Sequence, residues 1–385
     1  MLRSDFRLIG LGGAGGRLVD QIASQDGRFK SFFINSSKTD LESLEHYDDI
    51  DKNYILTSIG NGTGRKRDLG KRIIQKNAWN IIDTLQSFDE EVLYFVSSFG
   101  GGSGSSSIST LLKGIQTLKK EGQFSKIINL IGILPDLDSK NIILSNTLET
   151  WNEIMSYDCI NNMMFIDNNN LYNGQRLSEN EINIKFASLF DAIFEIPNSN
   201  GINFDNGNLS NVLKSKGCMY VYSLPNNSNN VNEALKKSNE TSVLARIYKT
   251  KDVMIKDDNN DNIEKMKCSY IGTSFNNENY IHEEILEAYN PTEEDYHGYN
   301  QENNLVLISG CLPPFYSIQV INTELEDRKR NKTSNTTKNF SKFTIDFSEN
   351  INTEEPVETE STHSAPKERK TNMKKVMKKN LADIF

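Results

Sequence analysis

Two glycine clusters hold the residues of this chain best suited to chemistry. The first, Gly10, Gly12, Gly13, Gly15 and Gly16, follows the short apolar run FRLIGL and precedes a helical pattern. The second, Gly100, Gly101, Gly102, Ser103, Gly104, Ser105 and Ser106, follows VLYFVSSF and precedes a helical stretch starting near Ile108. Glycines at the end of a strand let the backbone turn sharply and aim successive N–H groups, together with a helix N-terminus, at an anion. One such turn alone is weak evidence. Two in one α/β segment, with serine hydroxyls on the second, are explained together by one polyphosphate held from both sides.

Two common phosphate-binding schemes fit poorly. A dinucleotide site requires an acidic residue about 20 positions past the glycines to hold the ribose, and FFINSS offers Asn35 and serines there. It would also leave the second turn idle. An ordinary P-loop needs GxxxxGK followed by Ser or Thr, and no such run is present.

The elements that must position these turns are short apolar runs alternating with longer amphipathic ones from Phe6 to about Leu134, the pattern of βα units around a parallel sheet. EINIKFASLFDAIFEI, residues 181–196, places Ile184, Leu189, Ile193 and Ile196 among other apolar residues and predicts a buried central helix. KGCMYVYSL, TSVLARIYKT, MKCSYIGTSF and NNLVLISGCLPPFYSIQVI predict strands, with one Glu-rich helix near His282 to Tyr289. The fold class expected is α/β, with a nucleotide-binding domain over 1–199, a second α+β domain over 200–325, and a tail over 326–385. From Glu324 the apolar periodicity gives way to Thr, Asn, Ser, Lys and Glu, a composition expected to be disordered.

The 385 residues carry a formal net charge of −9, which argues against a body built to coat nucleic acid. Cys159, Cys218, Cys268 and Cys311 are far apart, as are the four histidines, so no zinc motif or disulfide framework is visible and a reducing cytoplasm is expected. The longest apolar stretch, near Ile127 to Leu134, is far short of the roughly 20 residues a membrane helix needs. A cytoplasmic protein is the reading that follows.

With both turns in place, the chain resembles the tubulin/FtsZ superfamily of polymerising GTPases. GLGGAGG, with Gly12, Gly13, Ala14, Gly15 and Gly16, resembles the family's first nucleotide loop; GGGSGSS resembles its GGGTGTG signature, with Ser103 and Ser105 for the threonines and Ser106 for the last glycine. The resemblance implies GTP or GDP with Mg²⁺ as cofactors and assigns further positions. Asn35 and Asp40 match the second loop. Gly62, Thr63 and Gly64 sit where the family senses the terminal phosphate. Asp138 in ILPDLD matches the ribose contact, and Asn168 in MFIDNNNLY and Asn183 match the base-reading positions. An Asn side chain offers both a donor and an acceptor, which suits the guanine edge. No protein metal ligand is assigned.

GINFDNGNLSNVL resembles the loop that in this family docks onto the nucleotide of the next subunit and positions the attacking water. Asn203 and Asp205 match it, and Asn208 stands where the family has a second acid, a departure that implies slower hydrolysis. Arg17 stands where FtsZ-type relatives commonly have an asparagine near the base. The resemblance therefore implies a GTPase activated by head-to-tail self-assembly into filaments.

Between Lys367 and Lys379 seven basic residues face the single Glu368, and Met373, Val376, Met377 and Leu381 recur at helical spacing. Three readings stand: a solvated appendage, an amphipathic membrane anchor, or a contact to DNA or a DNA-bound adaptor. The apolar stripe is short and lacks Trp, which disfavours the membrane. The basic end and divergent loops look more like the TubZ type of plasmids and phages, implying DNA segregation; the alternatives are a divergent cell-division GTPase and a nucleotide-gated scaffold with little hydrolysis.

Overall fold

The structure, a computed structural model, describes residues 1–58, 62–172, 174–198, 204–247, 266–299 and 303–340. In chain order its first half gives β1 (Phe6–Leu11), α1 (Gly12–Ala23), β2 (Lys30–Asn35), α2 (Lys38–Glu42), β3 (Tyr54–Leu56), α3 (Arg67–Ser87), β4 (Val92–Ser98), α4 (Ser103–Lys120), β5 (Ile127–Leu134), α5 (Asn141–Ile154) and β6 (Ile160–Asp167). An antiparallel pair, β7 (Leu171–Tyr172) and β8 (Gln175–Arg176), leads to α6 (Glu179–Ala192) and a 3-10 turn over Ile193–Asn198. The rest gives α7 (Asn206–Lys214), β9 (Gly217–Leu224), α8 (Val231–Thr241), β10 (Met266–Ser274), α9 (His282–Ala288), β11 (Tyr289–Gly298), β12 (Asn304–Cys311) and α10 (Phe315–Phe340).

One sheet runs in the order β3-β2-β1-β4-β5-β6-β9-β12-β10-β11. All neighbours from β3 to β9 are parallel, β12 is antiparallel to both β9 and β10, and β11 runs parallel to β10. β4 and β5 are apolar nearly end to end and buried nearly throughout, as strands covered on both faces must be. The chain steps outward from β1 through β2 to β3, then returns to place β4 on the other side of β1. Open α/β sheets bind ligands at such a reversal, beyond the carboxyl ends of the strands. Both glycine clusters lie there.

Contacts group Met1–Leu325 into one compact unit and Glu326–Phe385 into another. The sheet does not break at the expected 199/200 boundary, because β6 pairs with β9 at Asn162–Gly217 and Met163–Cys218. Within the second unit the described residues are helical, so the backbone does not lose regular structure at Glu324 as the polar composition suggests. There Arg330 pairs with Glu326 at 3.8 Å and with Asp327 at 3.9 Å. The basic segment Lys367 to Lys379 lies outside the described residues.

The central helix differs from expectation. The α-helix spans Glu179–Ala192, with the 3-10 turn completing the stretch, and it buries one face only: Ile182, Phe186, Ala187 and Phe190. Ile184 is exposed, because two residues' travel from Phe186 carries it to the opposite side of a 3.6-residue turn. The buried face joins Phe6, Phe29, Tyr94 and Phe194 in an aromatic core beneath β1 and β4, with ring centroids 5.1–6.1 Å apart. Arg3, almost wholly buried, ties the start of the chain to this helix through Asp191 and Glu195, both at 2.5 Å.

PFYSIQVI is helix rather than strand: Ile318, Ile321 and Leu325 are buried at helical spacing after Pro313 and Pro314. TSVLARIYKT contributes only a single bridge, Leu244 to Ile166, among its described residues. β11 was not legible as a strand, since this edge strand buries few of its side chains, chiefly Tyr289 and Tyr296. No helix among the described residues is long and apolar enough to cross a membrane.

Glu90 anchors the N-terminal end of β4. Its carboxylate accepts from Arg7 Nε at 3.0 Å and Lys30 Nζ at 2.5 Å. Burial pushes this carboxyl up, but the two cations more than offset that and hold it at about 2. A depressed carboxylate stabilises the fold fully above its unfolded range and loses that contribution as pH falls through the folded value. Glu90→Gln should therefore lower stability at neutral pH by roughly 1–3 kcal/mol. The gap to wild type should close between about pH 4.5 and about pH 2; thermal melts showing an equal gap at both ends of that window would contradict the ion-pair account.

Candidate functional site

The two glycine turns are in contact with each other. Gly12 has φ +68°, and a Cβ there would lie 2.6 Å from the Gly104 backbone nitrogen. Gly15 packs α1 against β4 so closely that a Cβ would fall 2.1 Å from the Val96 carbonyl oxygen. Gly12 and Gly15 therefore set the approach of the elements, while Gly13 and Ala14 face a cavity. Gly16 likewise packs inward, toward Leu44.

That cavity, about 310 Å³, is walled by Gly13 and Ala14 on one side and Gly101, Gly102, Ser103 and Gly104 on the other. Gly62, Thr63 and Gly64 close a third side. Thr63 Oγ1 and Ser36 Oγ reach Ser103 Oγ at 3.3 and 2.7 Å, so hydroxyls link the Gly62–Gly64 loop and the turn after β2 to the second glycine turn. Gly62 and Gly64 have φ of +77° and +57°, the left-handed region that glycine enters without strain. Ser105 is buried and donates to the Gly101 carbonyl, so it shapes the second turn from behind instead of facing the cavity. Asn35 is also set back: its Oδ1 accepts from the Ser36 and Ser37 N–H groups at 2.7 and 3.2 Å, and Asp40 takes the cavity wall.

A second cavity of about 220 Å³ adjoins the first, sharing Ala14, Arg65, Ser98 and Gly101. Gly100, Asn168 and Asn183 line it, as does Arg17, whose Nη2 lies 3.8 Å from Glu179. Asn168 is placed by its N–H to the Leu134 carbonyl at 3.2 Å and by the preceding Asp167, which accepts from Ser317 Oγ at 2.7 Å and from Asn169 N at 3.0 Å. Burial pushes the Asp167 carboxyl up despite those bonds. Asp138 does not line this cavity; its exposed carboxylate turns to Arg176, and Asp136 takes the wall.

Asp205 and Asn208 line neither cavity. Asp205 caps α7: its Oδ1 accepts from Asn208 N at 2.8 Å, and Asn208 Oδ1 accepts from Asp205 N at 2.9 Å. This reciprocal box satisfies two otherwise unpaired donors at the helix start. Asn203 lies outside the described residues. Sequence reasoning missed Arg65, Ser98 and Asp136 as cavity residues. Arg65 was within reach, directly following the Gly62–Gly64 loop, but nothing in its type indicated a cavity position.

Residues 6–176 match the family described as "Tubulin/FtsZ family, GTPase domain". This segment is similar to a tubulin/FtsZ GTPase domain. The tubulin-like protein TubZ of Clostridium botulinum C phage is 27% identical over 335 residues, covering 85% of each chain. Tail-truncated TubZ of Clostridium botulinum phage c-st superposes with a TM-score of 0.72 at 23% identity, covering 86% of this chain and 99% of that one. A GTPγS-form protofilament of TubZ from Bacillus thuringiensis serovar israelensis gives 0.65 at 14% identity, covering 86% and 94%. The chain thus has the tubulin/FtsZ fold over most of its length.

No cluster of three or more His, Cys, Asp or Glu able to hold a metal occurs among the described residues. The donors on the cavity wall, the Asp40 carboxylate and the Thr63 and Ser103 hydroxyls, are hard oxygens suited to Mg²⁺. They fit an ion held mainly by phosphates and water.

Proposed function

We propose that this chain binds GTP or GDP across the two adjoining cavities, hydrolyses GTP when a second copy docks head to tail, and forms filaments that segregate plasmid or phage DNA. The observation that carries this reading is the contact between Gly12 and Gly104, which makes two strand-end turns one cradle at the reversal of the sheet. The phosphates would lie on the N–H groups of Gly13, Ala14 and Gly101 to Gly104, with the Thr63 and Ser103 hydroxyls alongside. The guanine would lie in the second cavity against Asn168 and Asn183.

Transfer of the terminal phosphoryl group to water needs charge stabilisation and an oriented nucleophile rather than a covalent protein group. The backbone cradle stabilises charge on the phosphates without rearranging. Mg²⁺, when bound, neutralises part of the phosphate charge. Asp205 is exposed and away from its own cavities, so it is free to act on the nucleotide of a neighbouring copy, accepting a proton from the attacking water. A contact between unlike surfaces repeats without closing and so extends into a filament. The GTPγS-form protofilament of the Bacillus thuringiensis protein supports the same reading for a chain of this fold. The basic segment Lys367 to Lys379 is the proposed contact for DNA or a DNA-bound adaptor.

Sedimentation with parallel phosphate release tests this function. Phosphate release per subunit should rise steeply above the concentration at which GTP produces pelletable polymer, and ATP should give neither. Turnover per subunit that stays constant on dilution below polymer formation would contradict a site completed by the neighbour.

A further inference from the structure

The loop that closes the third side of the glycine cradle carries one side chain that the reading above leaves unused. Arg65 lines both cavities, at their junction. Among the described residues lining the glycine-walled cavity it carries the one cationic side chain, and Asp40 is the one acid. Arg17, the other arginine of the second cavity, already faces Glu179.

The backbone of Arg65 is held tightly while its side chain is not. Its φ is +67°, a conformation that costs a residue with a Cβ about 1–2 kcal/mol. The glycines at 62 and 64 relieve that cost at their own positions, yet position 65 is not glycine. Asn146 Nδ2 donates to the Arg65 carbonyl at 3.1 Å and to the Gly100 carbonyl at 3.2 Å, fastening this loop to the second glycine turn. A Cβ on Gly102 would lie 2.6 Å from Arg65 Cα, so the two backbones touch. The side chain is exposed and makes no salt bridge among the described residues. Strain retained at a cavity wall by a residue whose charged end has no ion-pair partner among the described residues is the pattern expected where the side chain serves a ligand.

We infer that Arg65 is a specificity-determining residue that clamps the phosphates of the bound nucleotide and distinguishes a triphosphate from a diphosphate. This rests on the nucleotide reading above. A guanidinium presents a planar fork of donors that matches phosphate oxygens two at a time, and the attraction grows with the charge of the phosphate chain. The strained backbone aims that fork from a fixed base, so the loop of Gly62 to Gly64 is tied to the phosphates through a charged contact as well as through its own N–H groups.

Equilibrium titration of the full chain with GTPγS and with GDP tests this, comparing wild type with Arg65→Ala, Arg65→Lys and Arg65→Gly. Alanine keeps the Cβ and hence the backbone cost; glycine removes both the charge and the cost. Both should raise the GTPγS Kd by about 10- to 100-fold and the GDP Kd by clearly less, while lysine restores part of the loss. Arg65→Ala with wild-type affinity for GTPγS would overturn the inference while leaving the nucleotide site standing. Wild-type affinity in Arg65→Gly alone would show that the backbone, not the charge, matters, and would overturn it too. A wild-type chain that binds neither nucleotide would sink the underlying reading and this inference with it.

Discussion

Asp205→Asn is expected to bind GTP and assemble as wild type does while hydrolysing it roughly 10²- to 10⁴-fold more slowly, the range for losing a general base. Asparagine is the informative replacement because Asp205 is also the cap of α7. Asn accepts the Asn208 N–H as well as Asp does, so helix and loop remain, whereas Ala would cost the cap about 1 kcal/mol and confuse folding with catalysis. The amide cannot take a proton from water. Phosphate release measured at concentrations where both proteins pellet with GTP separates the two roles, and wild-type turnover in the variant would remove Asp205 from the mechanism.

Gly12→Ala is expected to abolish the site itself. The new methyl would meet the Gly104 nitrogen at 2.6 Å and its Cα at 3.0 Å, and both are backbone atoms with no flexible side chain to move aside. The φ of +68° adds the usual cost of a Cβ in the left-handed region. The clash can then be relieved only by separating the two turns, which should weaken GTP binding by more than about 100-fold, equivalent to roughly 3 kcal/mol. Gly122→Ala is the matched control: its φ is +70°, but nothing lies within 4 Å of the added Cβ, so it should carry the backbone cost alone and bind GTP normally. Equal binding by the two variants would mean that contact between the turns is irrelevant to the ligand.

The site was legible in the sequence as far as its chemistry is local. Glycine clusters at strand ends announce their backbone geometry by residue type, so the amino-acid pattern alone assigns Gly12 to Gly16 and Gly100 to Gly104 to the correct strand ends. The resemblance to the tubulin/FtsZ superfamily also pointed to Asn168 and Asn183, and both line one cavity. What failed depends on direction. Asp136 and Asp138 both lie in the loop after β5, and only the turn of the chain decides which faces the cavity and which meets Arg176 alone. Asn35 and Ser105 have suitable types, but their side chains are spent on neighbouring backbone groups.

In the second half the apolar signal is thinner. The FYSIQV run has the residue types of a strand, and only the spacing of Ile318, Ile321 and Leu325 reveals α10. β11 lies at the sheet's edge with most positions unburied and carries Glu293, Glu294 and Asp295, which no strand pattern would favour. Arg65 illustrates the same limit at the site: a charged residue after a glycine loop looks like solvent-exposed loop until three-dimensional contacts bring Gly102 and Asn146 to it.

The most direct measurement is a calorimetric titration of the full chain with GTPγS in the presence of Mg²⁺, repeated with ATPγS. One saturable site per chain for the guanine nucleotide, lost in Gly12→Ala and much weaker for the adenine one, is the result that two glycine turns forming a single cradle predict. No heat of binding from a folded wild-type chain, or two independent sites per chain, would contradict it.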